Sequence, residues 1–351
     1  MIIGVDAGCL GIKDIHQQTG VWRFAVEILS SLTHQDKENN YFLYSFEKIP
    51  AGILGKFSNN VKNIVLKPQK FWLSGRLSAE FLRKKQDLFL GLSQALPFYH
   101  PFPSIIFVHD LAFEKFPQAY GNNYKRLSRQ TKFAVKHCDK IVAVSKATKG
   151  DLVKLYGIAE NKIEVIYHGV SKNFQPVEQI KSKKPYILFV GTLKPLKNIG
   201  RMMAAFRIFN RKMKNNYQLV LAGANELKIK SDKEIHVLGF VDDRDLPSLY
   251  LGAEIFLSPS LAEGFGLPIA EAMSAGLPVV TSDIPTIKEI AGDSVLYADP
   301  YDIEDISRKL YQIAVDKKLS CKIGEAGKNR AKSFSWDKSA DKLLKIINQY
   351  A

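Results

Sequence analysis

Along the chain, short apolar runs alternate with longer stretches whose apolar residues recur every three to four positions. Ile2 to Asp6 precedes Val21 to Leu32, Ile105 to His109 precedes Tyr124 to His137, and Lys140 to Ser145 precedes Lys146 to Tyr156. That is the rhythm of strand and helix units joined into a parallel sheet. The runs Ile105-Ile106-Phe107-Val108 and Ile141-Val142-Ala143-Val144 have no polar face, as strands covered by helices on both sides require. After a polar, Lys-rich stretch from Ser171 to Pro185 the rhythm restarts with a strand at Tyr186 to Val190, a helix at Ile199 to Lys214 and a strand at Gln218 to Ala222. Further strands are expected at Ile235 to Leu238, Ile255 to Leu257, Val279 to Thr281 and Val295 to Tyr297. The pattern predicts an α/β protein of two Rossmann-like, doubly wound domains, residues 1–175 and 176–335, with the linker at Ser171 to Pro185. Between Trp336 and Ala351, Leu343, Leu344, Ile346 and Ile347 fall at helical spacing among lysines, which predicts one amphipathic terminal helix.

Composition narrows the class. With 351 residues, 46% hydrophobic and 24% charged, the chain is neither disordered nor of low complexity. Cys9, Cys138 and Cys321 are widely spaced and form no C-x-x-C, so neither a disulfide framework nor a structural zinc site is indicated. No window reaches 18 uninterrupted apolar residues, and Met1 to Asp6 has neither a basic flank nor an apolar leader; a cytoplasmic protein is expected. Net charge is +15, and residues 1–175 carry 24 basic against 14 acidic side chains, a net of +10. Lys56 to Lys149 alone carries 17 against 5, a net of +12. An anionic partner is implied, for which nucleic acid, anionic lipid and phosphorylated substrate all qualify.

Ligands of open α/β sheets bind outside the carboxyl ends of strands, and four such loops carry candidate chemistry. Gly8 to Gly20 contains Gly8, Gly11 and Thr19-Gly20; it is either a site where backbone amides approach phosphate or sugar, or a flexible turn. Gly191-Thr192-Leu193-Lys194-Pro195-Leu196-Lys197 runs from strand to helix without the Gly-Lys-Ser/Thr of a P-loop. Its lysines at a helix mouth suit a diphosphate, and a solvated basic turn is the other reading. The segment from Ser258 to Met273 is the most informative. Gly264 and Gly266 flank Phe265, Pro268 suits a first helical turn, and Glu263 and Glu271 stand eight positions apart across the glycine turn. That is too irregular for an amphipathic surface, and Glu271 near the helix start can accept two adjacent ribose hydroxyls. Finally, His109 and Asp110 end a buried strand, where a histidine is either a structural group or a donor to a sugar hydroxyl or anionic oxygen. Asp243-Arg244-Asp245 imitates a metal-binding D-x-D, but it precedes Leu246 to Tyr250 and reads as acidic residues at a helix start. No metal is expected.

Taken together these segments resemble the retaining glycosyltransferases of the GT-B fold in family 4, group 1. The signal is Glu263-(x7)-Glu271 inside Ser-Pro-Ser-Leu-Ala-Glu-Gly-Phe-Gly-Leu-Pro, followed by Glu-Ala-Met-Ser-Ala-Gly-Leu-Pro-Val-Val and Asp299-Pro300. His109-Asp110-Leu111-Ala112-Phe113, Val144-Ser145-Lys146-Ala147-Thr148, His168-Gly169-Val170 and Val190-Gly191-Thr192-Leu193 follow the family order. The resemblance implies two Rossmann-like domains facing across a cleft, closing about the linker, with the final helix packed back on the first.

It also implies roles. Glu271 resembles the residue that takes the donor ribose and Glu263 the one that binds hydroxyls of the transferred sugar. Phe265, Gly266 and Leu267 resemble the backbone that contacts sugar and diphosphate. Lys197 resembles the phosphate-binding lysine, His109 the histidine beside sugar and leaving phosphate, Gly20 the first-domain glycine over the donor, and Phe240 and Val241 the segment around the base; Gly191 and Thr192 fall in the donor loop. Asp110 and Trp22 are assigned to the acceptor side. Trp22 replaces a family glycine, and Thr192 and Leu196 stand where relatives carry arginine. By this resemblance Glu271→Ala weakens nucleotide binding, whereas Glu263→Ala cuts turnover and spares the bare nucleoside diphosphate.

The implied activity is retaining, metal-independent transfer of a hexose to a glycan or lipid-linked acceptor, without a covalent carboxylate intermediate. The Gly191 to Asn198 segment resembles bacterial polysaccharide mannosyltransferases, so GDP-mannose is the first expectation for the donor, and no other cofactor is expected. An epimerase or hydrolase on the same fold is the enzyme alternative. A nucleic-acid-binding protein is suggested by charge alone, and the basic half contains no nucleic-acid motif. A pyrophosphate-linked acceptor or peripheral contact with an anionic membrane explains that charge better.

Overall fold

The computed structural model describes residues 1–12, 20–170 and 184–351. The chain divides into two units, Met1–Gly169 with Ser335–Ala351, and Val170–Phe334. Of the expected linker, Ser171 to Pro185, residues 171–183 lie outside the described residues.

The first unit is built on seven parallel strands: β1 (Ile2–Asp6), β2 (Asn40–Ser45), β3 (Val61–Val65), β4 (Leu88–Gly91), β5 (Ser104–Val108), β6 (Lys140–Ala143) and β7 (Ile163–Val165), in the order β3-β2-β1-β4-β5-β6-β7. Its helices are α1 (Gly20–Gln35), α2 (Ala51–Leu54), α3 (Ser78–Phe81), α4 (Ala112–Lys115), α5 (Asn123–His137) and α6 (Lys146–Tyr156). Every residue of β4 and β5 is buried, which is why β5 reads as an unbroken apolar run. The α6 start is chemical: Ser145 is extended and its hydroxyl accepts from the Thr148 amide at 3.0 Å, while Gly157 closes the helix at φ 65°.

The second unit has six parallel strands, β8 (Tyr186–Val190), β9 (Gln218–Ala222), β10 (Ile235–Gly239), β11 (Ile255–Ser258), β12 (Val279–Ser282) and β13 (Leu296–Ala298), ordered β10-β9-β8-β11-β12-β13. Helices α7 (Ile199–Lys212), α8 (Leu246–Gly252), α9 (Leu267–Ser274), α10 (Pro285–Ala291), α11 (Ile303–Val315) and α12 (Lys317–Ala331) cover it. Each sheet reverses its strand order beside its first strand, the place where α/β sheets open a crevice.

α13 (Trp336–Ile347) belongs to the first unit. It lies along α1, where Ser31 Oγ donates to Asp337 at 3.0 Å and Ser339 Oγ donates to the Tyr167 carbonyl at 2.6 Å. A Cβ on Gly169 would sit 2.1 Å from the Trp336 backbone nitrogen, so only glycine lets these two segments press together.

The acidic residues before α8 precede a helix start, as expected. Asp245 stands at the helix start but makes no side-chain cap, its backbone being helical at φ −94°, ψ −21° rather than extended as a capping residue requires. The turn is closed earlier, with Asp242 Oδ1 accepting from the Arg244 amide at 3.0 Å and from its guanidinium at 3.1 Å.

Candidate active site

In the second unit the C-terminal ends of neighbouring strands β8 and β11 present the two informative loops. After β8, Gly191 (φ 147°) lies so close to Gly223 that a Cβ on the latter would meet the Gly191 carbonyl at 2.2 Å. The chain then makes a 3₁₀ turn, Pro195–Lys197, and enters α7 through Asn198 in the left-handed conformation, φ 58°. Asn198 is buried, and its Nδ2 donates to the Pro259 carbonyl at 3.0 Å and to the Pro300 carbonyl at 2.6 Å. With the Leu261 amide donating to the Leu196 carbonyl at 2.8 Å, it staples the lysine loop to the glutamate loop. The outcome is a short ion pair, Lys197 Nζ to Glu263 Oε1 at 2.6 Å, with only 15% and 11% of the two side chains exposed. Thr192 is half-buried.

Beyond Glu263 the chain turns at Gly266 (φ 83°), which opens α9; a Cβ there would strike Ile287 at 2.8 Å. Leu267 and Pro268 form the first turn. The Phe265 side chain is buried edge-on against Phe334 at 5.3 Å. Glu271 is 2% exposed, and its Oε2 accepts from the Tyr250 hydroxyl at 2.9 Å. Phe240 and Val241 follow β10, both half-buried.

In the first unit His109 follows β5. Its Nε2 meets the Leu92 carbonyl at 2.9 Å. A carbonyl only accepts, so Nε2 carries the hydrogen and the neutral ring presents a lone pair at Nδ1. Burial holds this imidazole below its ordinary pKa, against the Leu92 bond and the Asp110 charge, which raise it. The ring stands edge-on to Phe24 at 4.7 Å and to His168 at 5.6 Å. His168 is stacked between Phe24 and Trp336 and is pushed further down, first by burial and then by His109. The backbone is held as well: Gln94 Oε1 accepts from the His109 amide at 3.3 Å, and Thr148 Oγ1 donates to the His109 carbonyl at 3.4 Å.

The remaining first-unit candidates have local duties. Asp110 Oδ1 accepts from the Ala112 amide at 2.9 Å, a turn bond. Trp22 is buried at 9% exposure, inside the core rather than on an acceptor surface. Gly20 begins α1, and a Cβ added there would meet no atom of the described residues within 4 Å; Thr19 lies outside the described residues. The glycines of the first loop are packing residues: a Cβ on Gly11 would meet the Glu47 carbonyl at 2.8 Å, and the Gly8 amide is spent on Asp6 Oδ1 at 3.1 Å.

Residues 58–174 match the model of Glycosyltransferase Family 4, and residues 170–330 match that of the Glycosyl transferases group 1. The chain belongs to this glycosyltransferase family. It is 32% identical over 230 residues to the O-antigen chain mannosyltransferase B of Escherichia coli, covering 60% of each chain. With the O-antigen chain mannosyltransferase RfbU of Salmonella typhimurium it shares 28% over 311 residues, 81% of this chain and 84% of the relative. Among solved structures, the sucrose-phosphate synthase of Thermosynechococcus elongatus matches with a TM-score of 0.81 at 16% identity, over 99% of this chain and 98% of the other. The fold is GT-B, two Rossmann-like domains.

Within this group 1 glycosyltransferase, sequence motifs located Lys197, Glu263 and Glu271 but missed the groups that hold them. Asn198 was visible only as part of a loop, and nothing in its spacing pointed to Pro259 or Pro300. The Leu92 carbonyl that sets the His109 tautomer is backbone, which no side-chain motif reveals. Gln94 and Tyr250 act on site residues 15 and 21 positions away.

Proposed function

We propose that this chain transfers a hexose, mannose in the first instance, from a nucleotide diphosphate sugar to a glycan or lipid-linked saccharide during cell-surface polysaccharide synthesis. The observation that supports this best is the Lys197–Glu263 pair, placed on the same sheet edge as the buried Glu271 and the helix opening at Gly266. Lys197 and the free amides of a helix start favour a diphosphate and stabilise it as it leaves. Glu271 takes the ribose hydroxyls, with Tyr250 orienting its carboxylate. Phe265, Gly266 and Leu267 offer backbone to the sugar phosphate. The names of the two bacterial relatives support mannose, and with it GDP-mannose as donor.

We read the transfer as retaining and independent of a divalent metal, a reading that the same groups support. A double displacement needs a carboxylate free to attack, with an acid-base partner about 5 Å away. Glu263 is taken up by hydroxyls of the transferred sugar, and Glu271 by Tyr250 and the ribose, so front-face attack assisted by the departing diphosphate is the reading. His109, neutral and presenting Nδ1, accepts from a hydroxyl of the sugar. The protein works in the cytoplasm, and Arg83, Lys84 and Lys85 beside the exposed Leu82 give the basic half a peripheral contact with anionic membrane. Among the described residues no helix is long and apolar enough to cross a membrane.

A thermal-shift panel of nucleotides and nucleotide sugars tests the donor, since a ligand at a hundred times its dissociation constant stabilises by about 2.7 kcal/mol. Silence of every nucleoside diphosphate would sink the proposal. Product stereochemistry by NMR in EDTA tests the mechanism: an inverted linkage, or activity lost on chelation and restored by manganese, would overturn it.

A further inference from the structure

The first unit holds a cavity of about 120 Å³ at the C-terminal end of β1, which shares Gly8 and Leu92 with the segments described above. Asp6, Val21, Phe46, Trp72, Leu92 and Ser93 line it. Asp6 Oδ1 accepts from Trp72 Nε1 at 2.9 Å and from the Gly8 amide at 3.1 Å, whereas Oδ2 accepts from no described residue. Trp72 and Phe46 stand edge to face at 5.6 Å. The chain is shaped to hold this group: a Cβ on Gly8 would come within 3.0 Å of the Phe46 ring and 3.1 Å of Trp72 Nε1. Trp72 opens a π-helical turn, Trp72–Leu77, entered through Phe71 at φ 56°. A bulky residue in the left-handed region and a π turn are both costly, and both cluster at functional sites.

The chemistry of the lining restricts the ligand. Although the surrounding chain is strongly basic, the lining among the described residues contains no Lys, Arg or His, and its one charged group is a carboxylate. Cys9, also on the wall, is held as a neutral thiol, pushed up to about 12 by burial and then by Asp6. A phosphate would be repelled. A neutral polyol is suited, because a carboxylate accepts from two hydroxyls and aromatic rings cover a C–H face. The volume equals about four waters, room for one edge of a pyranose. Leu92 joins this wall to the histidine, since its carbonyl holds His109 Nε2.

We infer that this cavity is the subsite for one edge of the acceptor's sugar ring, with Asp6 Oδ2 accepting from its hydroxyls and the mutually perpendicular Trp72 and Phe46 rings against its C–H groups. The inference rests on the transferase reading for the word acceptor, while the sugar site itself can be tested alone. The full chain, labelled with ¹⁵N-tryptophan, is titrated with methyl α-D-mannopyranoside while the indole N–H resonances of Trp22, Trp72 and Trp336 are followed, Trp72→Phe identifying the middle one. A saturable shift confined to Trp72 is expected. Asp6→Asn keeps an oxygen for Trp72 and Gly8 but removes the charge, and should weaken binding about tenfold or more, the loss of one charge-assisted hydrogen bond. Val21→Met, which fills the cavity from α1, should abolish the shift and carries the comparison should Asp6→Asn not fold. A Trp72 resonance that does not move, moves equally in both variants, or moves together with Trp22 and Trp336 overturns the site. GDP titrated into the same samples separates the two readings: sugar bound without any nucleotide counts against the transferase, and nucleotide bound with Trp72 silent counts against the cavity.

Discussion

Glu263→Gln removes the counter-charge of Lys197 and keeps the side chain's shape, and it should make the protein bind bare GDP more tightly. The two charged atoms lie 2.6 Å apart with 15% and 11% of their side chains exposed. Deleting one partner of a fully buried pair costs about 3 to 5 kcal/mol, because the survivor is left charged and poorly solvated. Residual solvent access at this pair places the free variant toward the lower end, about 2 to 3 kcal/mol. In the nucleotide complex the diphosphate supplies the missing charge, so the variant loses less there than when free. The difference is close to one charge-assisted hydrogen bond, about 1.5 to 3 kcal/mol, or about ten- to a hundredfold in the dissociation constant. Titration calorimetry with GDP reads that gain, and a thermal scan should show the free variant melting below wild type and recovering with GDP. Glu271→Gln, altering a carboxylate that is 2% exposed and bonded to Tyr250, should weaken GDP binding instead. A Glu263→Gln protein that binds GDP no more tightly than wild type would refute the idea that the pair holds Lys197 in check. Motif reasoning alone leaves nucleoside diphosphate affinity untouched by loss of Glu263; the ion pair changes the expected sign.

Three further outcomes are open to measurement. Gly169→Ala forces a Cβ to within 2.1 Å of the Trp336 backbone and should cost about 3 kcal/mol or more in urea unfolding, whereas Gly20→Ala, whose Cβ meets no described residue, should leave stability equal or higher by about 0.4 to 1 kcal/mol; equal losses would discredit the packing argument. His109 and His168 are both held below the ordinary histidine range, so the unfolded chain binds more protons and stability should be full above about pH 7 and fall as pH drops through about 6.5. The slope approaches about 1.4 kcal/mol per pH unit for each histidine, and His168→Phe, which keeps the stack, should flatten it; an unchanged slope counts against His168. Asn198→Gly tolerates φ 58° but strips two buried carbonyls of their donor, and a loss of about 1 to 3 kcal/mol together with weaker GDP binding is expected, against stability loss alone if the staple does not position Lys197.

The strands that run through the middle of each sheet were legible because they are buried on both faces, so β5, β6, β8, β9 and β11 announce themselves as apolar runs. β3 did not, since Val-Lys-Asn-Ile-Val is an edge strand with every residue partly or fully exposed, and its pairing with β2 is a property of the sheet. β2 and β4 are not legible either: Asn-Tyr-Phe-Leu-Tyr-Ser mixes polar ends with its apolar middle, and Leu-Phe-Leu-Gly is not followed by a segment of helical spacing that would mark it as a strand of the sheet. Glu263, Glu271 and the glycines around Phe265 stand within one short segment, and local spacing was enough to single them out. What the fold alone decided is every partnership across long separations: Lys197 with Glu263 over 66 positions, Asn198 with Pro300 over 102, Gly169 beneath Trp336. The same holds for Asp6 with Trp72, whose loop carries no motif. These depend on which strand ends become neighbours, and on backbone carbonyls, such as that of Leu92, that every residue possesses alike. A side-chain pattern records periodicity and local turn chemistry; it contains no term for the distance between two loops brought together by a parallel sheet.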